Sequence, residues 1–205
     1  MKLAWPNCVN VRDLGGLPTE DGLVTRHGAL IRSDNHDRLS TEGIDAVRAV
    51  RPTRIIDVRS PYEAGAYPSP FRSSPEYRNR SLNVDGDDEP ETLFGDYLLI
   101  VDGGRDMIAA AVITLAAAPY GPVVVHCHSG KDRAGILSAL ALRIAGVGAA
   151  VVADDYALTS GTDRQLMVDL LDHLDRRYGS VREYLLGSGV RPSHLDAIHE
   201  RLRAT

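Results

Sequence analysis

Apolar positions in this chain fall into short runs in the first half and helical repeats in the second. Residues 22–25 and 29–32 flank His27-Gly28 and predict a hairpin. Ile44, Val47 and Val50 recur at helical spacing after Ser40-Thr41, which can cap a helix that Pro52 ends. Residues 54–58 predict a buried strand, and residues 77–82 another. Between them, residues 61–75 are punctuated by prolines and are expected to form a loop. Residues 85–90, Asp85-Gly86-Asp87-Asp88-Glu89-Pro90, read as an acidic turn. A mostly helical stretch follows over residues 92–118, broken at Gly103-Gly104. Pro122-Val123-Val124-Val125 predicts a core strand, and a helix after it should end near Gly146. From there strands stop: residues 149–158, 163–178, 181–186 and 193–202 predict helices separated by glycines.

This order gives an α/β domain with a helical C-terminal third. At 205 residues and 43% hydrophobic, the chain can bury one sizeable core, and residues 1–205 are expected to form a single domain. A net charge of −5 without a basic run argues against a general nucleic-acid surface. The longest apolar stretch, residues 107–118, is short of the roughly 20 that span a membrane, so no stable membrane insertion is expected. The start lacks the continuous apolar segment of a signal peptide. Two cysteines, Cys8 and Cys127, make no disulfide framework and fit a reducing, cytoplasmic setting. No Cys/His spacing resembles a closed zinc set.

The chemistry concentrates in His126-Cys127-His128-Ser129-Gly130-Lys131-Asp132-Arg133-Ala134-Gly135. A thiol here lies on a turn between a buried strand and a helix N-terminus, where backbone N–H groups and the helix dipole favour a thiolate. The same N–H groups form an anion-binding nest. Arg133, five residues beyond the cysteine, adds a planar fork able to hold two phosphate oxygens. Only two of the 23 basic residues are lysines, Lys2 and Lys131, and one of these sits in this loop.

Cys-x5-Arg on a strand–loop–helix resembles the signature of the cysteine-dependent tyrosine phosphatase superfamily. The fuller string His-Cys-x-x-Gly-Lys-Asp-Arg-x-Gly is similar to that of atypical bacterial tyrosine phosphatases that also act on phosphoinositides. Asn10-Val11-Arg12-Asp13-Leu14-Gly15-Gly16, Leu30-Ile31-Arg32-Ser33-Asp34 and Ile55-Ile56-Asp57-Val58-Arg59-Ser60 resemble further landmarks of that branch, in the same order. The resemblance implies a central sheet flanked by helices. It also implies phosphomonoester hydrolysis through a phosphocysteine, with no metal or organic cofactor and with a phosphorylated protein or phosphoinositide as substrate.

On that resemblance, Cys127 is the nucleophile, Arg133 the phosphate clamp and Asp132 the general acid. Asp87 and Asp88 stand as competing acids, because other branches carry the acid on an upstream loop. His128, Ser129, Gly130, Lys131, Ala134 and Gly135 are expected to line the phosphate. His126 is expected to orient the loop by hydrogen bonding, and Asp13, Arg32, Asp34 and Asp57 to brace it. Asp154-Asp155-Tyr156 falls near the site in the family, though a solvated helix face explains it equally well. Ala134 departs from the Ser or Thr usual in relatives. Two rivals remain open at this point: a rhodanese-like sulfurtransferase, which the string Asp57-Val58-Arg59-Ser60-Pro61-Tyr62-Glu63 resembles, and a phosphate-binding pseudophosphatase.

Overall fold

Valines at 123, 124 and 125 form a strand buried on both faces, and the fold is assembled around it. The computed structural model describes residues 1–84 and 90–204, so Asp87 and Asp88 lie outside the described residues. In chain order the strands are β1 (Arg12–Asp13), β2 (Leu30–Ser33), β3 (Arg54–Asp57), β4 (Tyr77–Asn79) and β5 (Val123–His126). They form one sheet in the order β1-β2-β5-β3-β4. Only β1 runs antiparallel to its neighbour. Parallel strands need both faces covered, which explains why β5 reads as an unbroken apolar run.

Side chains alternate across the sheet with the period of two that the pleat imposes. Val123, Val125, Leu30 and Ile56 enter the larger core, whereas Val124, Ile31 and Ile55 pack against Trp5, Val47, Phe71 and Tyr77 on the opposite face. The opposite face is covered in part by α1 (Thr41–Ala49), capped by the Ser40 side chain as its sequence predicts. The larger core takes α4 (Arg105–Ala116), α5 (Asp132–Ile144), α6 (Ala149–Ala157), α7 (Arg164–Tyr178), α8 (Val181–Gly187) and α9 (Pro192–Leu202). Helix α5 packs against α4, α6, α8, α9 and the sheet, and residues 134–142 are buried throughout. A helix apolar all round is a central helix.

Two expectations change. Leu30–Ser33 is not half of a hairpin with residues 22–25: its partners are β1 and β5, and Val24 bridges back to Pro18 instead. Residues 61–75 do not form a continuous loop either, because α2 spans Pro61–Ala66. Ser60 and Glu63 cap each other reciprocally, and Pro61 occupies the first helical position, where its missing N–H costs nothing. Pro61 marks a helix start, whereas Pro68, Pro70 and Pro75 lie in the turns that follow it. The stretch expected to be helical over residues 92–118 divides into α3 (Leu93–Leu98), a π-helical turn (Leu99–Gly103) and α4.

Register sets the ends of the strands level. His126 lies opposite Ser33 of β2 and Asp57 of β3, so three parallel strands finish together where the Cys127 loop begins. Asp57 anchors this end. It is fully buried, takes Arg59 Nε and Nη2 at 2.9 and 2.6 Å, and accepts the Tyr77 hydroxyl at 2.6 Å. Burial opposes the charge, but the neighbouring His126, the Arg59 fork and Tyr77 outweigh it and hold the carboxyl below its usual range. Asp57→Ala would strand the Arg59 charge in the interior and is expected to cost about 3–5 kcal/mol. Tyr77→Phe, losing one hydrogen bond to a charged group, is expected to cost about 1–3 kcal/mol. Urea denaturation of the two variants measures both losses, and equal costs would contradict this ordering.

Candidate active site

The chain must turn from β5 into α5 within Cys127 to Lys131, and two of its carbonyl groups are tied outward as it does so. Asn35 N–H donates to His128 O at 3.0 Å, and the Asn10 side-chain amide donates to Ser129 O at 2.9 Å. Asn10 is itself placed by Asp34, whose carboxylate accepts the N–H groups of Val9 and Asn10 at 2.9 and 3.2 Å. Gly130 makes the turn possible. Its φ is +68°, and a Cβ there would stand 2.7 Å from backbone atoms of Ser33 and Asp34.

With the carbonyls engaged, the amides remain for an anion. Gly130 N–H already donates to Cys127 Sγ at 3.2 Å, an arrangement suited to a thiolate. The first N–H groups of α5, those of Asp132, Arg133 and Ala134, precede its first internal hydrogen bond and have no helical acceptor. Gly135, expected to bind phosphate, donates its N–H to Lys131 O at 2.7 Å and cannot serve an anion in the same way. Its missing side chain has another use: a Cβ there would lie 3.0 Å from the Tyr156 ring.

Arg133 is held by a residue that the sequence left in a loop. Glu63 of α2 accepts its Nη1 and Nη2 at 2.6 and 2.9 Å, and Asn83 Oδ1 also accepts Nη1. The Arg133 pair, together with the Ser60 amide, holds the Glu63 carboxyl down at about 2. These contacts use the end of the guanidinium. Nε and one Nη2 hydrogen, which form a second fork, have no acceptor among the described residues. The signal for Glu63 was present in the sequence as the capping pair Ser60 and Glu63.

Asp132 begins α5, and its Oδ1 accepts the Tyr97 hydroxyl at 2.7 Å. The Tyr97 hydroxyl lies 2.6 Å from that of Tyr156. Tyr156 belongs to the Asp154-Asp155-Tyr156 string that the resemblance places near the site, whereas nothing local marks Tyr97, which lies 35 and 59 positions from its two partners.

Other candidates are distributed differently. His126 is fully buried and stacks on His36 with ring centroids 4.1 Å apart. Neither ring nitrogen of His126 has a hydrogen-bond partner among the described residues, and its Nε2 lies 3.7 Å from Asp57 Oδ2. Burial pushes the pKa values of both imidazoles below their usual value. Arg32, also buried, donates to Thr159 Oγ1 at 3.0 Å and stands over the Tyr156 ring. Asp155 and Tyr156 are buried, not a solvated face. Asp155 pairs with Arg12 at 2.9 Å, while exposed Asp154 pairs with Arg164. Asp13 lies away from the loop: it pairs across the sheet with Ile31, two residues back from Ser33, and accepts the N–H groups of Gly15 and Gly28. Cys8 donates to Asn35 O at 3.4 Å, and burial raises its pKa.

A cleft of about 530 Å³ adjoins the loop and is lined by His128, Ser129 and Lys131, by Asn10 and Arg12, and by the chain's other lysine, Lys2. Among the described residues no three His, Cys, Asp or Glu side chains group as a metal-ion set, and no helix is long and apolar enough to cross a membrane.

Residues 3–165 match the model of the tyrosine phosphatase family. The chain is 25% identical over 186 aligned residues to a tyrosine-protein phosphatase of Nostoc commune, an alignment covering 86% of this chain and 61% of that relative. It is 26% identical over 217 aligned positions to the triple specificity protein phosphatase PtpB of Mycobacterium tuberculosis, covering 84% of this chain and 74% of that relative. The family match takes in β1 to β5, the Cys127 loop, α5 and α6, so this chain belongs to the tyrosine phosphatase family.

Proposed function

We propose that this protein is a metal-independent phosphatase of phosphotyrosine that works through a phosphocysteine on Cys127, and that it forms one domain over residues 1–205. The observation that carries this reading is the combination of a loop N–H donated to Cys127 Sγ with a guanidinium fork left open on Arg133. Cys127 thiolate attacks phosphorus in line, while Arg133 and the loop amides hold the equatorial oxygens. Asp132 protonates the leaving oxygen. Water then hydrolyses the phosphocysteine, with Asp132 as base.

Persulfide transfer needs no acid such as Asp132, and a pseudophosphatase would lack one of Cys127, Asp132 and Arg133, all of which this chain keeps. One relative is named a triple specificity phosphatase, which supports a range beyond phosphotyrosine. Lys131 and Lys2 at the cleft supply the positive charge that a phosphoinositide head group would use. A cytoplasmic setting suits such substrates.

Purified protein is expected to hydrolyse a small aryl phosphate without added metal and in the presence of EDTA. Cys127→Ser should abolish turnover yet retain binding of inorganic phosphate. Full turnover in the serine variant would exclude the mechanism.

The Glu63–Arg133 pair makes a second expectation. Glu63→Gln preserves a capping acceptor for Ser60 N–H but removes the charge that fixes the Arg133 fork. Affinity for inorganic phosphate should fall, and kcat/KM should drop by roughly tenfold, the equivalent of one charge-assisted contact. The pair also links stability to pH. The folded carboxyl sits at about 2, below its ordinary 4.5, so its contribution is complete above pH 4.5 and is lost as pH falls through about 2. After discounting for partial exposure, that contribution is about 1 kcal/mol. The stability difference between pH 6 and pH 2.5, measured by urea titration, should therefore shrink in Glu63→Gln; an unchanged difference would remove the pair from the account.

A further inference from the structure

We infer that Tyr97 is a positioning residue for the acid, with Tyr156 behind it: two hydroxyls from α3 and α6 hold Asp132 Oδ1 and leave Oδ2 to carry the proton. The inference rests on Asp132 as general acid and extends it to residues outside the loop.

Proton bookkeeping gives the direction of the chain. Tyr97 has one hydroxyl hydrogen, and Asp132 Oδ1 takes it at 2.7 Å. The 2.6 Å contact between the tyrosines must then be filled by Tyr156 as donor. Hydrogen bonds therefore run from Tyr156 to Tyr97 to Asp132. Oδ1 is committed as an acceptor, so an added proton resides on Oδ2, which has no hydrogen-bond partner among the described residues. Asp132, Arg133 and Tyr97 together line an opening of about 230 Å³.

Tyr97 is not a rival acid. Its side chain is fully buried, and burial and the neighbouring Asp132 charge drive its hydroxyl pKa upward, as burial does for Tyr156. Both hydroxyls stay protonated as donors. Tyr156 reaches Tyr97 because Gly135 leaves room for its ring and Arg32 stands over its face at 5.9 Å. Gly135, expected at the phosphate, and Arg32, expected to brace the loop, thus both act on the second tyrosine.

The steps balance. As the S–P bond forms and the ester P–O bond breaks, the Oδ2 proton moves to the leaving oxygen, and Tyr97 stabilises the carboxylate left behind. As water attacks and the S–P bond breaks, Oδ2 takes the water proton back. Throughout, the Tyr97 hydrogen stays on Tyr97.

The test compares alkyl phosphates, whose leaving groups need a proton, with activated aryl phosphates, which do not. Tyr97→Phe is expected to lower kcat on alkyl esters by roughly ten- to a hundredfold, the scale of one hydrogen bond to a charged group. It should leave aryl esters and KM within about threefold, the scatter expected of a contact outside the phosphate cradle. Tyr156→Phe should show the same pattern more weakly. If Tyr97 acts through Asp132, the double variant Tyr97→Phe, Asp132→Asn should be no slower than Asp132→Asn alone. Equal loss on both ester classes in Tyr97→Phe, or losses that add fully in the double variant, would overturn the inference while a selective loss in Asp132→Asn preserved the acid. Equal loss on both classes in Asp132→Asn would overturn the acid assignment and the inference with it.

Discussion

Everything at the site depends on one backbone constraint: the turn from β5 to α5 must present its N–H groups to one point. A loop left to itself would divide its amides and carbonyls between solvent and protein. Here Asn35 and Asn10 take the carbonyls of His128 and Ser129, and Gly130 lies against the backbone at the end of β2. The level ending of β2, β3 and β5 supplies that support, because it brings Ser33 and Asp57 alongside His126. The sheet register and the loop's chemistry are therefore one feature. Moving β2 by a residue would withdraw the surface on which Gly130 rests.

Each charged group of the loop is then fixed by a different element. Glu63 from α2 engages the end of the Arg133 guanidinium, and Tyr97 from α3 engages Asp132. Asp57 and Arg59 hold the chain where β3 leaves the sheet, just ahead of the Ser60 cap that starts α2. In the proposed mechanism, groups held this way reach a transition state with little reorganisation, which is the main source of electrostatic catalysis. The arrangement also explains the buried polar side chains beneath the loop, which a purely structural core would have no reason to retain.

Much of this could be read from sequence wherever the information was local. Cys127 and Arg133 are joined by five residues of one loop, and Val123–His126 reads as a buried strand without reference to any partner. The helices from residue 149 onward follow their apolar repeat to within a residue or two. Glu63 is legible as well: Ser60-Pro61 with Glu63 is a helix start, which the loop pattern of Pro68, Pro70 and Pro75 obscures. Tyr156 is legible only as part of a string near the site, and Tyr97 not at all, because no period or motif joins α3, α5 and α6. Asp13 shows the reverse error. It belongs to a recognisable motif, yet the antiparallel pairing of β1 carries it away from the loop, where it braces Gly15 and Gly28. Linear proximity to a motif says little once a strand reverses direction.

The central claim is that Cys127 carries the phosphoryl group between two half-reactions. Mass spectrometry of acid-quenched enzyme, taken during turnover of an aryl phosphate, tests it most directly. One added phosphoryl group is expected, localised to the peptide containing Cys127 and disappearing as substrate is exhausted. Steady turnover with no phosphoryl group on that peptide at any quench time would mean that water attacks phosphorus directly, and would contradict the account.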